Sequence, residues 1–353
     1  MKIGILTFHC ANNYGAVLQT LGLSEKLTDL YQSHEVYIVN YCPASIIKVY
    51  SLLKYGNMYS LISSISQLPF SMKRKHNFNK FRKENFNLLS FKDIGCLDYL
   101  ICGSDQIWNP VLTNELDPNY FGLIEGFKGR TIAYAASDGG NLKKSNPAIT
   151  HSYLSNIAFI SVRESSMIPS LSAYSKDVSV VLDPVFLPDS TFWHAFSLKQ
   201  KYTNYVLVYK LSDNDEIVRN ACQFAEKTGK KVIEIAYKFP YKQMLTKKHT
   251  VLSSIGIAEF VSLFLYADFV FTNSFHGTAF SILFNKCFYT YTINDKRANR
   301  IVDLLSALSL MDQYVSSVDV NMHKEIDYRS VNMLLYKKKE ASLNFIKRSL
   351  SLQ

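Results

Sequence analysis

The residues best suited to chemistry are Thr272-Asn273-Ser274-Phe275-His276-Gly277-Thr278-Ala279. They follow a short apolar run, Asp268 to Phe271, and precede Phe280 to Phe284. The first run reads as a buried strand and the second as part of a packed helix. In an open α/β sheet, ligands bind beyond the carboxyl ends of the strands. The helix that follows adds unpaired backbone N–H groups and the positive end of its dipole. His276 is therefore expected where an anion binds and a proton moves. Lone histidines are more often structural, but the strand-to-helix junction between Ser274 and Gly277 favours function here.

Other loops offer supporting groups. His9 to Ala16 lead into the first helix pattern, and Asn13, Tyr14 and Gly15 join a tight turn to amides at a helix start. This loop lacks the repeated glycines of a dinucleotide fingerprint, and simple helix capping is an equal alternative to ligand contact. Ser104, Asp105 and Gln106 follow the strand pattern Tyr99 to Cys102. Hydroxyl, carboxylate and amide in one turn suit a polyhydroxylated ligand, while Trp108 reads as core. Arg163, at a strand end beside Glu164, can clamp a carboxylate or phosphate bidentately. Pairing with a nearby acid at the surface is its simpler reading. Lys296, Arg297 and Arg300 open a helix pattern where acids are usual, which fits a bound anion as well as it fits a solvated basic face. Met72 to Lys83 holds Lys73, Arg74, Lys75, Lys80, Arg82 and Lys83 interleaved with Phe78 and Phe81. It reads first as a solvated helix face, and second as a contact for an acidic membrane surface or a lipid-linked phosphate. No nucleic-acid recognition motif accompanies it.

The elements that must position these residues alternate between strand and helix patterns. Strands are expected at 2–7, 35–40, 98–102, 131–135, 159–162 and 178–182, with a helix over 15–30. After Asp183-Pro184 and Leu187-Pro188-Asp189 a second series begins, with strands at 205–209, 231–236, 268–271 and 288–291. Helices are expected at 214–227, 257–266, 276–284, 297–308 and 330–350. Alternation of this kind predicts parallel sheets in an α/β fold. The expected domains are 1–188, with a basic helical insertion near 45–95, then 189–322, then a terminal helix over 323–353 packing back. A chain of 353 residues, 48% hydrophobic and 19% charged, is globular and large enough for two domains. A net charge of +10 favours anionic partners. The six cysteines form no Cys-x-x-Cys pair or zinc spacing and read as reduced thiols. Neither a signal peptide nor a membrane-spanning run is evident, so the expected location is the cytoplasm.

Taken in order, several pieces resemble the polysaccharide pyruvyl transferase family. They are Lys2-Ile3-Gly4-Ile5-Leu6-Thr7, Asn13-Tyr14-Gly15-Ala16-Val17-Leu18-Gln19, Gly103-Ser104-Asp105-Gln106, Ser161-Val162-Arg163-Glu164, Asp183-Pro184, Ser274-Phe275-His276-Gly277 and Lys296-Arg297 with Arg300-Ile301. The resemblance implies two Rossmann-like, doubly wound domains facing a cleft, as in glycosyltransferases of the B type. It implies transfer of a pyruvyl group from phosphoenolpyruvate to two sugar hydroxyls as a cyclic ketal, in the synthesis of a capsule, exopolysaccharide or cell-wall glycan. No metal or organic cofactor is implied. His276 takes the catalytic place. Arg163, Ser274, Gly277, Lys296, Arg297 and Arg300 fall on the donor side, and Asn13, Tyr14, Gly15, Ser104, Asp105 and Gln106 on the acceptor side. Many members carry Ser-Arg-x-His at this histidine, and the arginine is absent from Asn273-Ser274-Phe275-His276. Either Lys296, Arg297 or Arg300 then supplies its charge, or the donor site is altered. The implied partners are phosphoenolpyruvate and a free or lipid-linked sugar acceptor; the basic stretch over 72–83 adds peripheral contact with the acidic inner face of the membrane as a further reading, and no nucleic acid is expected. Two other readings stay open: a glycosyltransferase using a nucleotide sugar, and a non-catalytic membrane-associated protein that binds glycans or anions.

Overall fold

The computed structural model describes residues 1–53, 58–172, 174, 177–211, 214–238, 249–292, 298–317 and 325–350. Two parallel sheets organise the chain. The first contains β1 (Lys2–Leu6), β2 (Glu35–Asn40), β3 (Leu88–Ser90), β4 (Tyr99–Cys102), β5 (Arg130–Ala136), β6 (Ile157–Val162) and β7 (Val178–Val180), in the order β3-β2-β1-β4-β5-β6-β7. The second contains β8 (Tyr205–Tyr209), β9 (Lys231–Ile235), β10 (Thr250–Leu252), β11 (Phe269–Thr272), β12 (Cys287–Tyr291) and β13 (Tyr314–Val315), in the order β10-β9-β8-β11-β12-β13. The pairings are parallel throughout. Strands such as Tyr205-Val206-Leu207-Val208-Tyr209 are buried along their whole length, as a strand covered on both faces requires.

Both sheets place their first strand beside their fourth. β1 neighbours β4, and β8 neighbours β11, so connections leave each pair in opposite directions. That is a topological switch point, where the strand ends splay and leave a crevice for ligand. The helices used below are α1 (Tyr14–Leu30), α2 (Met58–Ser66), α3 (Leu68–Asn85), α4 (Phe275–Leu283), α5 (Ala298–Ala307) and α6 (Tyr328–Leu350). α1 follows β1 and α4 follows β11 directly, so each starts at a switch point.

Residues 1–50, 82–188 and 334–353 form one compact unit, and 51–81 with 189–333 form the other. The sequence grouped the whole basic stretch near 45–95 with the first domain. The contacts assign 51–81 to the second unit. Asn77 Nδ2 donates to the Ser254 carbonyl at 2.8 Å, Ser254 Oγ donates to the Phe70 carbonyl at 2.9 Å, and the Phe81 ring meets Phe196 at 5.9 Å. Most of α6 belongs to the first unit, where Ser342 Oγ accepts from Leu182 N at 2.9 Å and Phe345 packs on Tyr134. The cysteines hold a second difference. Cys10 and Cys42, expected as thiols, form a disulfide with Cα atoms 6.0 Å apart, because β1 and β2 are neighbours and end side by side. Cys96, Cys102, Cys222 and Cys287 are free.

Candidate functional site

At the second switch point, β11 ends in Thr272 and α4 begins at Phe275. Ser274 adopts the extended backbone of an N-cap, and its Oγ accepts from Gly277 N at 3.3 Å. Thr272 Oγ1 donates to the Tyr209 carbonyl at 2.6 Å and accepts from Ser274 N at 3.0 Å, tying the turn to β8. Asn273 Oδ1 accepts from Leu211 N at 2.8 Å and ties it to the loop after β8. Gly277 permits this packing, since a Cβ there would lie 2.2 Å from Thr272 Oγ1. These bonds hold the first turn of α4 rigidly. The turn carries His276, which is 8% exposed and edge-on to the Phe275 ring at 5.2 Å.

One of the three expected cations reaches this turn. The Arg300 guanidinium, near the start of α5, lies 5.8 Å from the centre of the Phe275 ring. Lys296 and Arg297 lie outside the described residues. Farther along the same sheet is a charged cluster that sequence reasoning missed. Lys210 Nζ is 3.5 Å from Glu234 Oε1, and His249 Nε2 is 2.8 Å from Glu234 Oε2. Hydrogen bonds to Cys222 and then Glu234 push the His249 pKa up to about 9, so its imidazole is charged at neutral pH.

The first switch point is built differently. Asn13 caps α1, its Oδ1 accepting from Ala16 N at 3.2 Å, while Tyr14 and Gly15 are buried. Thr7, after β1, donates from Oγ1 to the Ser104 carbonyl at 2.8 Å and accepts from Gln19 Nε2 at 3.0 Å. This bridges the β1 and β4 loops, so the structure brings the Asn13–Gly15 and Ser104–Gln106 candidates to one place. The Gly103–Ser104 peptide is cis, and Gly103 has φ +122°, with the Tyr134 carbonyl 2.2 Å from where a Cβ would stand. Ser104 Oγ and Gln19 Oε1 are buried with no hydrogen-bond partner among the described residues. Asp105 and Gln106 are half-buried, and Gln106 Oε1 accepts from Asn109 Nδ2 at 2.7 Å. Trp108 is core, stacked on Phe121 at 5.3 Å.

Two arginines depart from expectation. Arg163, proposed for the donor anion, has a side chain only 2% exposed, with Nη1 2.6 Å from Asp183 Oδ2. Burial pulls its pKa down, but the charges of Asp183, Glu164 and Asp105 outweigh that and hold the guanidinium protonated. It pins the end of β6 to the Asp183 turn, where Asp183 Oδ1 also caps Val185 N at 3.1 Å. Arg82, grouped with the solvated basic face, instead holds the β1 loop. Its Nε donates to the His9 carbonyl at 2.9 Å, and its Nη2 lies 2.8 Å from the Cys10 and Ala11 carbonyls and from Asn12 Oδ1. Burial lowers the Arg82 pKa to about 10, which leaves it charged at neutral pH. His9 in that loop is 2% exposed, and burial pushes its pKa down to about 4. Its Nδ1 lies 3.3 Å from the Thr7 carbonyl, so the neutral ring donates there. No local pattern marks Arg82 for this role, because its partners lie about 70 residues earlier.

A protein-family model described as polysaccharide pyruvyl transferase matches residues 13–295. No individual curated protein matches the chain significantly. Among solved structures, UDP-GlcNAc 2-epimerase from Neisseria meningitidis bound to UDP-GlcNAc aligns over 100% of this chain and 95% of its own, with 10% identity and a TM-score of 0.51. A putative UDP-N-acetylglucosamine 2-epimerase from Listeria monocytogenes aligns over 99% and 91%, with 10% identity and a TM-score of 0.51. UDP-GlcNAc 2-epimerase from Methanocaldococcus jannaschii aligns over 99% and 100%, with 12% identity and a TM-score of 0.50. At these identities the likeness is one of fold.

Proposed function

The chain belongs to the polysaccharide pyruvyl transferase family, and we propose that it moves a pyruvyl group from phosphoenolpyruvate onto two hydroxyls of one sugar. The observation that carries this reading is the gathering of His276 and Arg300 around Phe275 at the capped start of α4. Phosphoenolpyruvate has a carboxylate and a phosphate. Arg300 and the first backbone amides of α4 suit those anions. Arg300 thereby supplies the charge that the sequence lacks just before His276. Ser274 and Gly277 set the turn, and Arg163 supports the first unit without touching the donor.

In the reaction, C3 of the enol phosphate gains a proton and C2 becomes electrophilic. One sugar hydroxyl adds to C2, and the C2–O bond to phosphate breaks. A second hydroxyl then closes the ketal. Of the two hydroxyl protons, one balances the new C3 methyl group and the other leaves with phosphate. His276 moves a proton between hydroxyl and C3, help of a kind that supplies roughly a hundred- to ten-thousand-fold in rate. The enol phosphate carries its own driving force, so the reaction as proposed calls for no organic cofactor or metal. Ser104, Asp105, Gln106 and Asn13, at the first switch point, are neutral and acidic groups of a kind that suits sugar hydroxyls. The test incubates the protein with phosphoenolpyruvate and a panel of free and lipid-linked sugars. The expected result is phosphate release matched by a product heavier by one pyruvate less one water. Turnover of a nucleotide sugar with none of phosphoenolpyruvate would assign the chain to glycosyl transfer instead.

A further inference from the structure

We propose that the outer face of α2 and α3 seats the second unit on an anionic lipid surface. The inner face of this segment is already engaged. Phe78 and Phe81 are buried, Arg74 lies over the Tyr237 ring at 5.3 Å and donates to the Tyr237 carbonyl, and Asn77 holds the Ser254 carbonyl. These partners follow β9 and β10, so the segment is anchored at the carboxyl edge of the second sheet. The outer face is apolar and basic. Met58, Ile62, Ile65 and Met72 are 72%, 60%, 53% and 54% exposed. Positions 58, 62 and 65 fall on one stripe of α2. Met72 follows on the solvent side of α3, beside exposed Lys73, Lys75 and His76. A run of large exposed apolar side chains marks an interaction surface.

Charge decides the partner. Residues 58–81 contain four Lys and Arg (Lys73, Arg74, Lys75 and Lys80) and no Asp or Glu, in a chain whose net charge is +10. Arg74 is turned inward onto carbonyls, and Lys73 and Lys75 are exposed and set the outer field. Apolar side chains beside such lysines match a bilayer with anionic headgroups. A second copy of the chain would bring the same cations face to face, which disfavours self-association here. The proposal does not depend on the reaction at His276.

The test is co-sedimentation of the full chain with phosphatidylcholine vesicles, with and without phosphatidylglycerol, at low salt. The expected result is binding to the anionic vesicles at least roughly ten-fold tighter than to the neutral ones, weakening as salt rises. Lys73→Gln with Lys75→Gln should weaken it roughly thirty-fold, and Ile62→Gln with Ile65→Gln should remove most of it. All four side chains are exposed, so melting temperatures should match the wild type. If a pair melts early, Met58→Gln with Met72→Gln takes its place. Absence of wild-type binding to anionic vesicles, or wild-type binding by both variant pairs, overturns the proposal. A dimer lost in the isoleucine pair without any change in vesicle binding assigns the face to a second copy and overturns it too.

Discussion

The two switch points have the same topology, and each has a histidine nearby, yet their charged groups are held differently. At the first, His9 is neutral and bonded to its own loop, Arg82 is held by loop oxygens, and Arg163 is neutralised by Asp183. Ser104 Oγ and Gln19 Oε1 are buried there with no hydrogen-bond partner among the described residues, beside the half-buried Asp105. At the second, a helix N-terminus, His276 and Arg300 converge on one turn. Strand order chooses where a ligand can sit. Local pairing then sets the charge character of each switch point: on the proposed reading, the first suits a hydroxyl-bearing ligand and the second an anionic one.

The sharpest way to break this contrast is His276→Ala. The expected loss in kcat is roughly a hundred- to ten-thousand-fold, with the melting temperature unchanged. His9→Gln should leave kcat within a small factor, and equal losses from both would erase the distinction. Arg163→Met comes next. It leaves Asp183 buried without its partner, so a destabilisation of about 3–5 kcal/mol is expected in denaturant melts. Asp183→Asn added to it should recover part of that loss. A higher KM for phosphoenolpyruvate at normal stability would return Arg163 to the donor site.

The pH dependence of stability should have opposite signs in the two units. The His9 pKa in the folded chain is about 4, below its ordinary 6.5. The unfolded chain therefore takes the proton first, and stability is lost as pH falls from 6.5 towards 4, by up to about 3 kcal/mol. His249 is raised to about 9, so its contribution is present below 6.5 and lost as pH rises towards 9. Melting temperature against pH should flatten on the acid side in His9→Gln and on the alkaline side in His249→Gln. The smallest expected effect is that of Gly277→Ala. The added methyl group meets Thr272 Oγ1 and should cost about 1–3 kcal/mol while lowering kcat through a displaced His276.

Much of the fold is legible in the chain itself. The central strands read as apolar runs of the right length, and both halves of the α/β alternation are present. The strands that escaped were β3, β10 and β13, each at a sheet edge and two or three residues long. An edge strand pairs on one side only, so a short one carries little pattern of its own. The basic stretch was legible as charge but not as structure. Nothing local distinguishes Arg74 and Arg82, which face inward, from Lys73 and Lys75, which face solvent.

The same division runs through the site. The strand–cap–helix junctions at Asn13 and Ser274 follow from local residue types, since a cap bond reaches only two or three residues. The excess of positive charge and the order of motifs that places the chain in its family are likewise read directly from the chain. Which charges are compensated is settled by long-range packing. Arg163 meets Asp183 from 20 residues away, Arg82 reaches Ala11 across 71, and Thr7 bonds to Ser104 across 97. Charge compensation and burial depend on distance in space, and residues this far apart in the chain become neighbours only when the sheets assemble.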